Sequence, residues 1–170
     1  MTELVQPFVT ALFREEEALA AARTLLPDQW GVVDFESPRF PFDVTDYYER
    51  EMGSGLQRLF WSFPRLVPPD TLPDWKRATL DVERRLSVEG RRTVNLDPGY
   101  IDACKVVLAS KKYNGPKVYL RDGVYADVIL LYERGTWKPT PWCFPDFRDN
   151  RYARPLLEIR AHMRARWKRT

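Results

Sequence analysis

The sequence is poor in histidine, cysteine and glycine, with one, two and eight among 170 residues. Each scarcity excludes a chemistry. Two-histidine phosphoesterases and most zinc sites need imidazoles that the chain does not have. His162 is the lone histidine, has no partner at metal spacing, and is expected at a surface or interface rather than in a Ser–His triad. Cys104 and Cys143 form neither a C-x-x-C pair nor a metal spacing, so they read as free, buried thiols of a reducing cytoplasm. Gly53-Ser54-Gly55 lacks the lysine and the spacing of a phosphate-binding G-x-x-x-x-G-K-[ST] loop. Long apolar runs are missing too. The longest, Val128-Ile129-Leu130-Leu131, is far too short to span a bilayer, so no membrane is expected. Met1 to Gln6 has no basic region ahead of an apolar one and does not read as a signal peptide.

Other features are abundant. Aromatics make up 14% and there are 14 prolines, which suggests irregular, well-packed connections. The length fits one domain over residues 1–170, since no repeat, low-complexity run or Gly/Ser linker divides it. Net charge is +3, unevenly spread: residues 147–170 carry +6 and the first 146 carry −3. A basic tail on a slightly acidic body suits an anionic partner.

Phe8–Phe13 reads as a buried strand and Arg14–Leu26 as a helix, with Glu15, Glu16 and Glu17 favouring its positive end. Strands are expected over Val32–Phe35, Leu56–Phe63 and Arg92–Leu96, and a helix over Pro73–Leu86. The order β-α-β-β-α-β gives an α+β fold with a ferredoxin-like core. Asp97-Pro98 reads as an N-cap and first residue of a third helix through Leu108. Asp122-Gly123 is a type I′ signature joining Lys117–Arg121 to Val124–Tyr132 in a hairpin. Glu133–Thr136 is a further turn, and Tyr152–Trp167 a closing helix with Leu156, Ile159, Met163 and Trp167 inward.

Several strings carry a family resemblance: Phe40-Pro41-Phe42 with Thr45-Asp46-Tyr47-Tyr48 and Glu51-Met52-Gly53, Val94 to Tyr100, Tyr119-Leu120 with Asp122 to Ala126, Pro141-Trp142, and Pro145-Asp146. Together they resemble an uncharacterised bacterial family, domain of unknown function 4416. The resemblance implies no activity. Some members are labelled GTP-binding, which the lack of a phosphate loop does not support.

The candidate site is a polar–aromatic cluster. A two-residue turn pairs Arg121 with Val124, Leu120 with Tyr125 and Val118 with Asp127. This places Asp127 on the apolar strand face of Val118, Leu120, Ile129 and Leu131, where a carboxylate is costly unless paired or solvated. It reads as a general base, a ligand anchor, or half of a salt bridge. Asp97 reads as a helix cap or as the second carboxylate of an acid–base pair. Asn95 shares its strand face. Tyr100 and Tyr125 read either as stacking partners for a planar ligand or as half-buried strand residues. Lys105, Lys111 and Lys112 read either as neutralising a phosphate or, the usual fate of lysines, as a solvated surface. A secondary cluster joins Glu36, Asp43, Asp46 and Tyr47, with capping turns as its plainer meaning; no metal is expected. Arg160, Arg164 and Lys168 form a basic stripe on the last helix, suited to RNA, DNA or solvent. These features support three readings: a domain binding a nucleotide or nucleic acid, a small hydrolase or lyase using Asp97 and Asp127, and an interaction module anchored by Trp137 and Trp142. The sequence identifies no cofactor and leaves oligomeric state open.

Overall fold

A computed structural model describes residues 3–169. In chain order the elements are β1 (Gln6–Phe13), α1 (Glu16–Leu25), β2 (Phe35–Glu36), β3 (Phe40–Pro41), α2 (Glu49–Met52), β4 (Gln57–Ser62), α3 (Leu72–Leu86), β5 (Val94–Ile101), β6 (Lys105–Ser110), β7 (Val118–Arg121), β8 (Val124–Glu133), β9 (Thr136–Pro139), α4 (Pro145–Arg148) and α5 (Ala153–Trp167). The fold is α+β. One sheet runs β2-β4-β1-β5-β6-β8-β7, with β3 added to β4 and β9 to β8. Every strand pair is antiparallel.

Helices cover both faces of the sheet. On one face α1 and α3 bury Leu19, Ala22, Trp75 and Val82 against Val9, Ala11, Leu59, Trp61 and Leu96. On the other, α4 and α5 bury Phe147, Leu156 and Ile159 against Phe8, Phe60, Leu108 and Ile129. Burial on both faces explains the nearly unbroken apolar run of β1, all eight residues of which are buried. Among the described residues, no helix is long and apolar enough to cross a membrane.

The hairpin forms at Asp122-Gly123, whose φ angles of 55° and 70° suit a type I′ turn. Arg134-Gly135 closes the β8–β9 hairpin in the same way, with φ of 48° and 88°. The closing helix also forms, with Leu156, Ile159 and Met163 buried.

Four expectations are corrected. Strand character at Val32–Phe35 shrinks to Phe35–Glu36, and Val32 is 79% exposed. The expected helix from Pro98 is a strand: β5 runs through Asp97-Pro98-Gly99 to Ile101, then turns into β6. A cap signal is local, whereas β1 pairs with β5 along its whole length, from Gln6↔Ile101 to Phe13↔Val94. The β7–β8 register slips after Arg121↔Val124, so Val118 faces Ala126 rather than Asp127. Cys104 is exposed, although Cys143 is buried.

The β5–β6 pairing is short, and that shapes the functional site. It covers only Gly99↔Leu108, Tyr100↔Val107 and Ile101↔Val106. Before Gly99, β5 has no strand neighbour on that side. The Leu96 N–H points into the gap and donates to Glu83 Oε1 from α3 at 2.6 Å. Backbone N–H groups alternate sides along a strand, so Pro98, which has no N–H, also faces the gap. The sheet splits here, and side chains from both helical layers converge on the opening.

Candidate functional site

Two adjoining lobes form a cavity at this split. The first has a volume of about 280 Å³ and the second about 200 Å³. Tyr47, Tyr48, Asp97, Leu108, Lys112 and Phe144 line both.

Arg58 lies on the floor of the first lobe and is only 5% exposed. Its Nε is 2.8 Å from Asp146 Oδ2 on α4, an ion-pair contact off the hydrogen-bonding direction. Arg58 Nη1 donates to Thr10 Oγ1 at 2.8 Å. Phe42, Phe147 and Tyr152 flank the guanidinium at 5.2, 5.7 and 6.0 Å. Tyr152 also donates its hydroxyl to Asp146 Oδ2 at 2.9 Å, and burial pushes its ionisation well above the ordinary tyrosine range.

Asp97 sits where the lobes meet. Lys76 Nζ of α3 reaches its Oδ1 at 2.8 Å, and Asn95 Nδ2 donates to its Oδ2 at 2.8 Å. Burial opposes the negative charge, but Lys76, Arg58 and Asn95 outweigh it and hold Asp97 below the usual aspartate range. Asp97 is therefore a paired strand carboxylate, not a helix cap. Asn95 Oδ1 accepts from Arg92 Nη1 at 2.6 Å, and Arg92 grips Glu51 through two parallel contacts of 2.8 and 2.7 Å.

Asp127 lines the second lobe, opposite Leu108 in the β6–β8 ladder, and is 2% exposed. Its Oδ1 is buried without a hydrogen-bond partner among the described residues. Lys117 Nζ lies 3.6 Å from its Oδ2, an ion pair at the long end of the range. Burial pushes the Asp127 carboxyl above its ordinary range, with Lys117 opposing. Asp127 is thus half of a long ion pair with Lys117, with its second carboxylate oxygen buried and unpaired among the described residues.

Glu83 is the other unusual acid. Burial pushes it up to about 7 against the pull of Lys76, the Leu96 N–H and Arg92. Folded Glu83 holds its proton more tightly than an unfolded-chain glutamate. From about 4.5 to about 7 the folded state then binds more protons, so this contribution falls as pH rises and levels off above that window. Glu83→Gln should flatten the slope and raise stability at pH 8 relative to pH 5 by roughly 2–3 kcal/mol compared with the parent, at about 1.4 kcal/mol per tenfold in proton affinity. Urea denaturation of both proteins at the two pH values measures this. Parallel pH profiles would contradict it.

The structure sorts the expected site residues. Asp97, Asn95, Asp127, Lys111, Lys112 and Tyr47 meet at the cavity. Tyr100 does not, because it stands one residue out of phase with Asn95 and Asp97 and packs on the α1–α3 face. Tyr125 contacts Tyr113 of the β6–β7 connection and Tyr119 of β7, with ring centroids 5.9 and 5.4 Å away, outside the lining. Lys105 pairs with Asp102 in the β5–β6 turn, away from the cavity. The secondary cluster separates. Glu36 accepts from Trp61 Nε1 at 2.8 Å and Arg23 at 3.0 Å, and Asp43 pairs with Arg151 at 2.7 Å. Thr45 Oγ1, rather than an aspartate, caps the turn at Tyr47. Asp46 stays on the surface, where its backbone carbonyl accepts from the N–H of Glu49. Among the described residues, no group of three or more His, Cys, Asp or Glu is placed to hold a metal ion.

The basic stripe is broken. Arg160 is 8% exposed, donates twice to the Ala103 carbonyl and stacks 3.5 Å from the Tyr132 ring centroid. Trp137 is fully buried, so only Trp142 of the expected interface anchors is exposed.

Sequence reasoning missed Arg58, Lys76, Glu83, Arg92, Lys117 and Asp146. Arg58 left a trace, as a charge in the middle of an apolar strand. Lys76 and Glu83 lie seven apart on α3, the spacing of one helix face.

No curated protein and no solved structure matches the chain. The strings Phe42 to Tyr48, Asn95 to Asp97, and Pro145-Asp146, distant in sequence, supply much of the lining of this cavity. A family model described as a domain of unknown function, DUF4416, matches residues 3–163, nearly the whole chain, and the chain belongs to that family.

Proposed function

We propose that this domain binds a small anionic ligand with a planar group, a nucleotide being the class that fits, in the cavity at the split sheet. The observation that carries this reading is the lining of the second lobe, where Lys76, Arg92, Lys111, Lys112 and Lys117 stand against Glu83, Asp97 and Asp127. Burial raises the pKa of two of those three acids, Glu83 and Asp127. The lobe volumes, about 280 and 200 Å³, together reach the roughly 300–1,000 Å³ typical of small-ligand pockets. Aromatic walls from Phe42, Tyr47, Tyr48 and Phe144 suit a planar group.

Calorimetric titration with nucleoside monophosphates across a salt series tests the proposal. Binding tighter than millimolar that weakens as salt rises is the expected result. Lys112→Gln should weaken it about tenfold, the worth of one charge-assisted contact. Absence of salt-dependent binding would sink the reading. Nucleic acid is less favoured, because Arg160 is committed to the protein interior.

A second reading, a hydrolase or lyase, draws on the opposite shifts of Asp97 and Asp127 in one cavity. Carboxylates pushed apart in proton affinity suit acid and base roles. Asp127→Asn should then abolish turnover of a bound phosphate ester while the fold persists; unchanged turnover rejects that role.

The core is read as ferredoxin-like from the strand order β2-β4-β1-β5 with α1 and α3 on one face. The free thiols support a reducing, cytoplasmic setting.

A further inference from the structure

The two lobes differ in charge and wall chemistry, and the difference orients a ligand. Resting on the cavity reading above, we infer that the ligand is an aromatic-headed phosphate ester, its planar head in the first lobe presenting an acceptor atom to Arg58 and its phosphate in the second lobe on Lys111, Lys112 and Lys117.

The first lobe balances its charges, Arg58 and Lys112 against Asp97 and Asp146. A phosphate placed there would face two carboxylates, one of them buried. Its walls are aromatic, with Phe144 44% exposed at the rim beside Tyr47. A flat head stacks on such walls whatever its identity. Selectivity comes from the floor. Arg58 uses Nε on Asp146 and Nη1 on Thr10, and among the described residues its Nη2 has no hydrogen-bond partner. Three aromatic rings hold the guanidinium in place, so this donor has a fixed position. Nη2 is not among the fully buried atoms left without a partner, so an acceptor in the lobe can reach this donor, whose residue is only 5% exposed overall. A head with a carbonyl oxygen or ring nitrogen would satisfy it, and a plain phenyl ring would not.

The second lobe has the opposite character. Lys117 Nζ lies 2.9 Å from Ser110 Oγ and 3.6 Å from Asp127. Lys111 reaches the Asp122 carbonyl at 2.7 Å, and Lys112 lines both lobes. Lys111, Lys112 and Lys117, close in sequence, all line this lobe and form a phosphate seat at its mouth.

Calorimetric titration of the full chain with guanosine monophosphate, uridine monophosphate, phenyl phosphate and inorganic phosphate tests this division. Lys112→Gln should weaken all four by a similar factor. Phe144→Ala, a rim change outside the core, should weaken both nucleotides and phenyl phosphate about tenfold, in line with one lost stacking contact, and leave inorganic phosphate within about twofold. Arg58→Lys should weaken the nucleotides about tenfold, one charge-assisted hydrogen bond, and spare phenyl phosphate. Should Arg58→Lys fail to fold, the guanidinium NMR signals of Arg58 in the parent protein replace it: they should move with the nucleotides and not with phenyl phosphate. Nucleotide binding that is indifferent to Phe144→Ala, or Arg58 signals that respond equally to phenyl phosphate, would overturn the division and leave the cavity reading standing. If none of the four binds, both fall.

Discussion

Arg58→Met should lower the stability of the domain by about 3–5 kcal/mol, the usual cost of breaking a buried ion pair from one side. Arg58 and Asp146 have side chains 6% and 2% exposed. Methionine fills most of the arginine volume and keeps contact with Phe42, Phe147 and Tyr152, so little of the loss comes from a cavity. The loss comes from Asp146, left charged and buried with only the Tyr152 hydroxyl as a hydrogen-bond partner among the described residues. For a domain of this size that corresponds to a fall in Tm of roughly 6–20 °C. The double variant Arg58→Met with Asp146→Asn should recover most of the loss, because it removes the orphaned charge and keeps an acceptor for Tyr152. A thermodynamic cycle measured by urea denaturation isolates the coupling. A single-variant cost under about 1 kcal/mol, or strict additivity, would mean that the pair does not hold α4 against the sheet. Arg58→Lys differs, because it keeps a cation near Asp146.

Much of the fold was legible because its signals are local. The Asp122-Gly123 turn requires left-handed backbone at both residues, and no tertiary contact overrides that. The apolar stripes of α1, α3 and α5 point to the layers they bury, since helical period alone sets the face. The site was half legible. Asn95, Asp97, Lys112 and Asp127 converge, but Tyr100 was assigned to the same side when strand parity sends it to the other. That error followed from reading Asp97-Pro98 as a helix start, which hides the period-2 alternation of β5. The α3 residues Lys76 and Glu83 were invisible for another reason. They reach the cavity only because the sheet opens between β5 and β6, and an unpaired stretch of one strand is a property of two distant segments. Arg58 and Asp146, 88 positions apart, likewise become a pair only when α4 lands on β4. The hairpin register was misjudged by one residue because a bulge near Leu120 leaves no composition signal.

The joint that bounds the split depends on Gly99, and Gly99→Ala should destabilise the domain by about 3 kcal/mol or more. A Cβ at this position would lie 2.4 Å from the Val107 carbonyl oxygen, 2.7 Å from Phe8 Cζ and 2.9 Å from Leu108 Cδ2. The first is backbone in the neighbouring strand and the second a fully buried ring, so neither yields cheaply. The glycine is not needed for a left-handed φ, as it lies in extended strand; it is needed for close approach of β6. Relief requires β6 to move away from β5, and only three residue pairs join those strands. Among the described residues, those pairs are the only ladder between the β2–β4–β1–β5 half of the sheet and the β6–β9 half. Gly99→Ala should therefore act beyond its own site. Hydrogen exchange of the β6 amides should quicken more than that of β1, and ligand affinity at the cavity should fall along with Tm. A variant with parent-like Tm would show that the strands separate at little cost. A variant that loses Tm while β6 exchange stays as slow as that of β1 would place the damage in the Phe8 layer, not at the joint between the two halves.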